Sequence, residues 1–79
     1  METRQLDARN EDALARLERL AQTNNTVSAS FIVGPYLYPC RIDRNNDGTY
    51  NGRFNGVTVS ESATLITVLK AFYTRLLTK

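Results

Sequence analysis

Asp43, Asn45, Asp47 and Gly48 stand in the register D-x-[DN]-x-[DN]-G, the opening half of a calcium-binding loop. Oxygen-bearing side chains at alternate positions can turn several carboxylate and amide oxygens toward one hard cation. A complete loop also needs a bidentate glutamate at its twelfth position and helices on both flanks. The twelfth position here is Phe54, and the flanking stretches YLYPCRI and TYNGRF alternate as strands do. Arg44 adds a cation next to the acids. The stretch is therefore expected to form a β-hairpin whose turn is Asn46, Asp47 and Gly48, residue types that accept a positive φ. No metal or other cofactor is expected.

Other chemistry is equally limited. Cys40 is the single cysteine and histidine is absent, so a thiolate nucleophile would lack its usual base, and Cys40 is expected to act as a small buried hydrophobe. Asp43 with Asp47, or Asp47 with Glu61, could suggest a two-carboxylate acid–base pair. Exposed turn carboxylates keep ordinary pKa values, whereas a catalytic acid needs burial or a like-charged neighbour. The chain is thus not expected to be an enzyme. Tyr36, Tyr38, Tyr50 and Tyr73 supply amphipathic contact surface of the kind enriched at interfaces. Arg41, Arg44 and Arg53, close to those rings in sequence, could instead form a phosphate-binding platform with stacked bases.

At 79 residues the chain makes one domain, whose apolar residues are needed for folding rather than for an enclosed active site. Ten Lys or Arg against eight Asp or Glu give a formal charge of +2, and the basic residues are scattered, so neither a dedicated phosphate binder nor an acidic DNA mimic is indicated. One cysteine excludes an internal disulfide framework. No apolar run approaches the roughly 20 residues a membrane-spanning helix needs, and METRQLDARNEDA mixes charges unlike a signal peptide. A soluble cytoplasmic protein is expected.

The elements that would position these residues follow from periodicity. Ala13, Leu14, Leu17, Leu20 and Ala21 form one narrow helical stripe within a helix over about 7–23. Asn10 is its expected N-cap, with a start near Thr3 that brings in Leu6 as an alternative, and Asn24 and Asn25 are expected to stop it in the left-handed conformation. TVSASFIV alternates from Thr26 to Val33, Gly34 and Pro35 turn the chain, and Tyr36 to Asp43 alternates again. Pro39 cannot donate a ladder hydrogen bond, which predicts an edge strand or an irregularity. A third strand falls within 49–59, with Asn55-Gly56 as a turn that could split off a short fourth strand. From about 61 to 78, Leu65, Ile66, Val68, Leu69, Phe72, Tyr73, Leu76 and Leu77 make a wide helical stripe, capped by Ser60 or Ser62 with Glu61 at its positive end. The order αβββα predicts an α+β domain, a three-stranded antiparallel meander with a possible fourth strand. Both helices pack on the face that carries Val27, Phe31, Cys40, Ile42, Tyr50 and Phe54.

That order resembles the double-stranded RNA-binding domain across nearly the whole chain. The resemblance implies shape alone, because Ser60, Glu61, Ser62, Ala63 and Thr64 stand where that family opens its second helix with phosphate-gripping lysines. The stretch from Arg41 to Phe72 also resembles small phage-encoded anti-CRISPR inhibitors, through the NNDG hairpin at Asn45 to Gly48, the Ser-Glu-Ser at Ser60 to Ser62 and the apolar helix. It implies a compact non-catalytic protein, encoded by a phage or mobile element, that binds a larger host protein or complex. The expected contact residues are Tyr36, Tyr38, Arg41, Asp43, Arg44, Asn46, Asp47 and Arg53. A sequence-nonspecific nucleic-acid binder using Arg41, Arg44 and Arg53 is the second reading. A self-associating structural subunit is the third, since the last helix carries more apolar stripe than a small sheet covers.

Overall fold

The structure, a computed structural model, describes residues 7–79. Helix α1 (Ala8–Ala21) leads into strands β1 (Thr26–Val33), β2 (Tyr36–Arg44), β3 (Tyr50–Phe54) and β4 (Val57–Ala63), and helix α2 (Leu65–Leu77) closes the order. The strands form one antiparallel sheet in the sequential order β1-β2-β3-β4. This is the expected small α+β domain with the fourth strand present. No helix among the described residues is long and apolar enough to cross a membrane.

Both helices lie on one face of the sheet. Val27, Phe31, Cys40, Ile42 and Phe54 are buried there against Leu17 and Ala21 of α1 and Val68, Phe72 and Leu76 of α2. Phe31 and Phe72 meet edge to face at 6.1 Å, and Phe54 lies 6.3 Å from both. Each such side chain, fully buried, contributes about 1.5–3 kcal/mol, so this trio is the centre of the fold. Gly52 of β3 lets α2 sit close. A Cβ at that position would come within 2.5 Å of Val68 Cγ1 and 3.3 Å of the Phe72 ring.

The ends of the elements differ from expectation in informative ways. Asp7, not Asn10, caps α1, its carboxylate accepting from Arg9 N at 2.9 Å. The alternative start near Thr3 and Leu6 lies outside the described residues. Asn10 faces the core side instead and is buried. Its side-chain amide accepts from Ile32 N and donates to Ile32 O, both at 2.8 Å. Because β1 is an outer strand, this amide occupies the outward-facing backbone groups that a further strand would use. The α1 exit also departs from expectation: Asn24 closes it by donating from its side chain to Leu20 O at 2.9 Å, and neither Asn24 nor Asn25 has a positive φ.

At the other outer strand, β4 stays in the sheet through Ala63, which pairs with Tyr50. Two register shifts between β3 and β4 bulge the strand, one of them at Ser62, whose φ is +49° and whose N–H donates to Asn51 Oδ1 at 2.8 Å. The cap of α2 is consequently Thr64, accepting from Thr67 N, rather than Ser60 or Ser62, and Glu61 lies in β4 instead of at the helix start. Ser60 is drawn into the ladder opposite Gly52, and Ser62 is held at the bulge by the Asn51 side chain, partners that an isolated helix start lacks. Pro39 sits in an interior strand. It pairs in register with Ser30 of β1, and its carbonyl, pointing the other way, accepts from Asn55 N at 2.7 Å just past the end of β3. Its missing N–H points the same way, toward the β3–β4 turn, so the pairing of β2 with β1 loses no bond to it.

Candidate functional site

The residues of the DRNNDGT stretch are used by the turn itself. Asp47 Oδ1 accepts from Thr49 N at 3.0 Å and from Thr49 Oγ1 at 2.6 Å, and these hydrogen bonds hold its carboxyl below the ordinary aspartate range. Gly48 takes φ +88°, and the Asn45 amide reaches both Thr49 Oγ1 and Asn51 Oδ1. Asn51 in turn receives Ser62 N, so one polar chain runs from the hairpin turn to the bulge of β4. Asp43 is likewise occupied: its Oδ1 accepts from Thr26 Oγ1 and from Arg41 Nε, each at 2.9 Å. Both acids thus serve local structure, as the hairpin reading expects. Among the described residues no three His, Cys, Asp or Glu side chains gather as a metal site.

Cys40 is buried in the core face, and that burial pushes its thiol up to about 12 against a weak opposing hydrogen bond from the Asn55 backbone. At neutral pH it is a thiol donating toward Tyr38 O at 3.7 Å, a packing residue rather than a nucleophile.

The eight expected contact residues fall in four places. Arg41, Asp43 and Arg53 share the sheet face away from the helices. There the register sets Ser28, Arg41, Arg53 and Thr58 side by side across all four strands. Arg41 and Arg53 stand directly opposite each other, a like-charge pairing that sheets normally avoid. They border a shallow depression of about 300 Å³ with Ser28 and Pro39. Arg44, by contrast, lies on the helix side of β2, paired with Tyr50, so the three arginines do not form one patch. Asn46 and Asp47 are exposed at the β2–β3 turn. Tyr36 and Tyr38 lie at the opposite end of β2, about 25 Å away at 3.3 Å per residue.

That opposite end is a second surface. Pairing of β2 with β3 begins only at Cys40, so the β1–β2 hairpin from Tyr36 to Pro39 projects beyond the rest of the sheet. The protein is correspondingly elongated, 42 × 20 × 19 Å. Tyr36 and Leu37 on this projection are 64% and 65% exposed, and Val57 at the neighbouring turn is 60% exposed. Tyr38 stacks on Phe54 at 5.5 Å, and Lys79 Nζ stands 5.1 Å from the Tyr38 ring centre. Lys79 and Arg75 also border a small hollow with Val57 and Val59. The end is apolar at its tip and cationic on one flank.

A third surface lies between the helices. The α2 stripe is only half covered by the sheet, leaving Ile66 58% and Tyr73 41% exposed. With Leu14 of α1 and Leu69 they line an open groove of about 440 Å³, with Glu18 on the α1 wall and Lys70 on the α2 wall. Leu37 and Val57 had no signal in the sequence beyond hydrophobicity, because their exposure depends on which neighbours the fold supplies, whereas the groove is where the surplus apolar stripe expected of the last helix lies uncovered. No protein-family model, curated protein or solved structure matches this chain.

Proposed function

We propose that this chain is a small non-catalytic protein-binding module that engages its partner through the projecting end of the β1–β2 hairpin. The observation that carries this reading is the exposure of Tyr36, Leu37 and Val57 together at one end of the molecule. Large apolar side chains held on paired strands, with little conformational freedom left to lose, are well suited as contact anchors. Lys79 and Arg75 on the flank favour a partner surface that is acidic around an apolar hollow. Carried over from the resemblance, the finer form of the proposal is a cytoplasmic inhibitor, encoded by a phage or mobile element, that occludes a larger host protein complex. Both outer strands support recognition by side chains rather than by strand addition. Asn10 occupies the β1 edge and the bulges distort the β4 edge.

The test is capture of a defined partner by wild-type protein and by Y36S/L37S. Both side chains are exposed, so melting should be unchanged while capture is lost. Retention of the partner by the double variant sinks the proposal. Arg41 and Arg53, adjacent on the open sheet face, favour a second reading, binding of nucleic-acid phosphates: Asp43 pairs with Arg41, and Arg53 beside it has no ion pair among the described residues. In that case wild-type protein should retard single- or double-stranded nucleic acid at low salt, R41Q/R53Q should not, and affinity should fall steeply as salt rises. An absence of retardation at low salt eliminates this second reading.

A further inference from the structure

We infer that the groove between α1 and α2 is a self-association surface, in which a second copy of this chain docks about a two-fold axis running parallel to the groove. The inference concerns a different face from the projecting hairpin end and stands or falls independently of it.

The groove has an apolar floor of Leu14, Ile66, Leu69 and Tyr73 and one charge of each sign on its two walls, Glu18 on α1 and Lys70 on α2. Neither charge is paired among the described residues, whose ion pairs are Arg9–Asp7 and Arg41–Asp43. Glu18 and Lys70 are both exposed and face each other across the groove without closing to ion-pair distance. In a closed two-fold dimer the same patch meets itself, so the direction of the axis decides which walls meet. An axis across the groove would set each Glu18 against the other Glu18 and each Lys70 against the other Lys70. An axis along the groove lays α1 of one copy over α2 of the other, and each Glu18 then meets the partner copy's Lys70. The two walls are therefore complementary to a second copy in one orientation only. In that orientation Ile66 and Tyr73, which the sheet leaves uncovered, gain apolar cover from the opposing α1.

The experiment is charge exchange, read by sedimentation or light scattering between about 1 and 500 µM, which spans dissociation constants from micromolar to nearly millimolar. Wild-type protein should pass from monomer to dimer over that range. E18K places four lysines and K70E four glutamates at the symmetric contacts. Each variant should weaken the dimer by about tenfold or more, because two exposed pairs per dimer turn from attraction to repulsion. Mixing E18K with K70E should restore a dimer that contains one chain of each, and E18K/K70E should restore self-association. All variants alter exposed side chains and should melt with wild-type protein, which separates lost association from lost folding. A wild-type chain that stays monomeric at the highest concentration, leaving the groove to some other partner, overturns the inference. So do single variants that dimerise as wild type does, or an equimolar mixture that fails to recover the dimer.

Discussion

Replacing Gly52 by alanine adds one methyl group at the closest approach of the sheet to α2. The backbone there is not in the left-handed region, so alanine itself fits the strand. Considered alone, a Gly to Ala change at a compatible position stabilises by about 0.4–1 kcal/mol through the unfolded chain. The new Cβ, however, would lie 2.5 Å from Val68 Cγ1 and 3.3 Å from two atoms of Phe72, side chains that are both completely buried. Neither can swing into solvent, so α2 must move or the strand must bend. Overpacking of this kind costs about 1–3 kcal/mol, which outweighs the entropic gain and leaves a net loss of roughly 1–2 kcal/mol. In a domain of this size that corresponds to a fall in melting temperature on the order of 10 °C. V68A removes the obstructing methyl group at the expense of a cavity, so the two changes should couple. G52A should be far less harmful in the V68A background, with an interaction of about 1 kcal/mol or more. Thermal and urea unfolding of the four proteins supply the cycle. A G52A variant that melts at or above wild type, or two costs that simply add, would refute this account of how α2 is seated.

The remaining predictions concern polar side chains. N10A strips both hydrogen-bond partners from Ile32 and should destabilise by about 1–3 kcal/mol, with faster hydrogen exchange at the Ile32 amide; unchanged exchange there would show that the β1 edge does not depend on Asn10. T49V removes the hydroxyl that is the main cause of the depressed Asp47 pKa, and an NMR titration should show that pKa moving up toward the ordinary aspartate value. Because the folded pKa is depressed, the contribution of Asp47 to stability is complete above the unfolded value and fades as pH falls through the folded one. Wild-type protein should therefore lose its advantage over T49V in acid, and a constant difference between the two across that range would contradict the assignment.

Much of the architecture is local in origin and so was legible from the residues in order. Alternation at Val27, Ala29, Phe31 and Val33 and at Tyr38, Cys40 and Ile42 marks the buried faces of the first two strands, because side chains on a strand change face at every residue. Asn55 and Gly56, with φ of +52° and +82°, form the turn their types prescribe, and the hairpin after Asp43 closes on Asp47, Gly48 and Thr49. The helical stripe from Leu65 to Leu77 is likewise a matter of spacing.

What the tertiary structure alone decided is where one residue type served a purpose that several could claim. Asn10 has the chemistry of a helix cap, but an outer strand lies within reach of its amide, and two bonds to Ile32 in a buried position outweigh one cap bond that Asp7 can make instead. Ser60 and Ser62 also read as caps, yet pairing with Gly52 holds Ser60 in the sheet, the Asn51 side chain holds Ser62, and the helix start passes to Thr64. Tyr36 and Asp47, eleven positions apart, lie at one end of β2 and in the turn beyond its other end, whereas Arg41 and Arg53, twelve positions apart, stand side by side. Glu18 and Lys70 face each other across the helix groove although α1 and α2 are the first and last elements of the chain. The elements and their buried faces, apart from the boundary between β4 and α2, were written in the order of the residues, since they follow from the period of the backbone. Which charges and uncovered apolar side chains become neighbours depended on the packing of elements remote in the chain, and every candidate surface on this protein arises there.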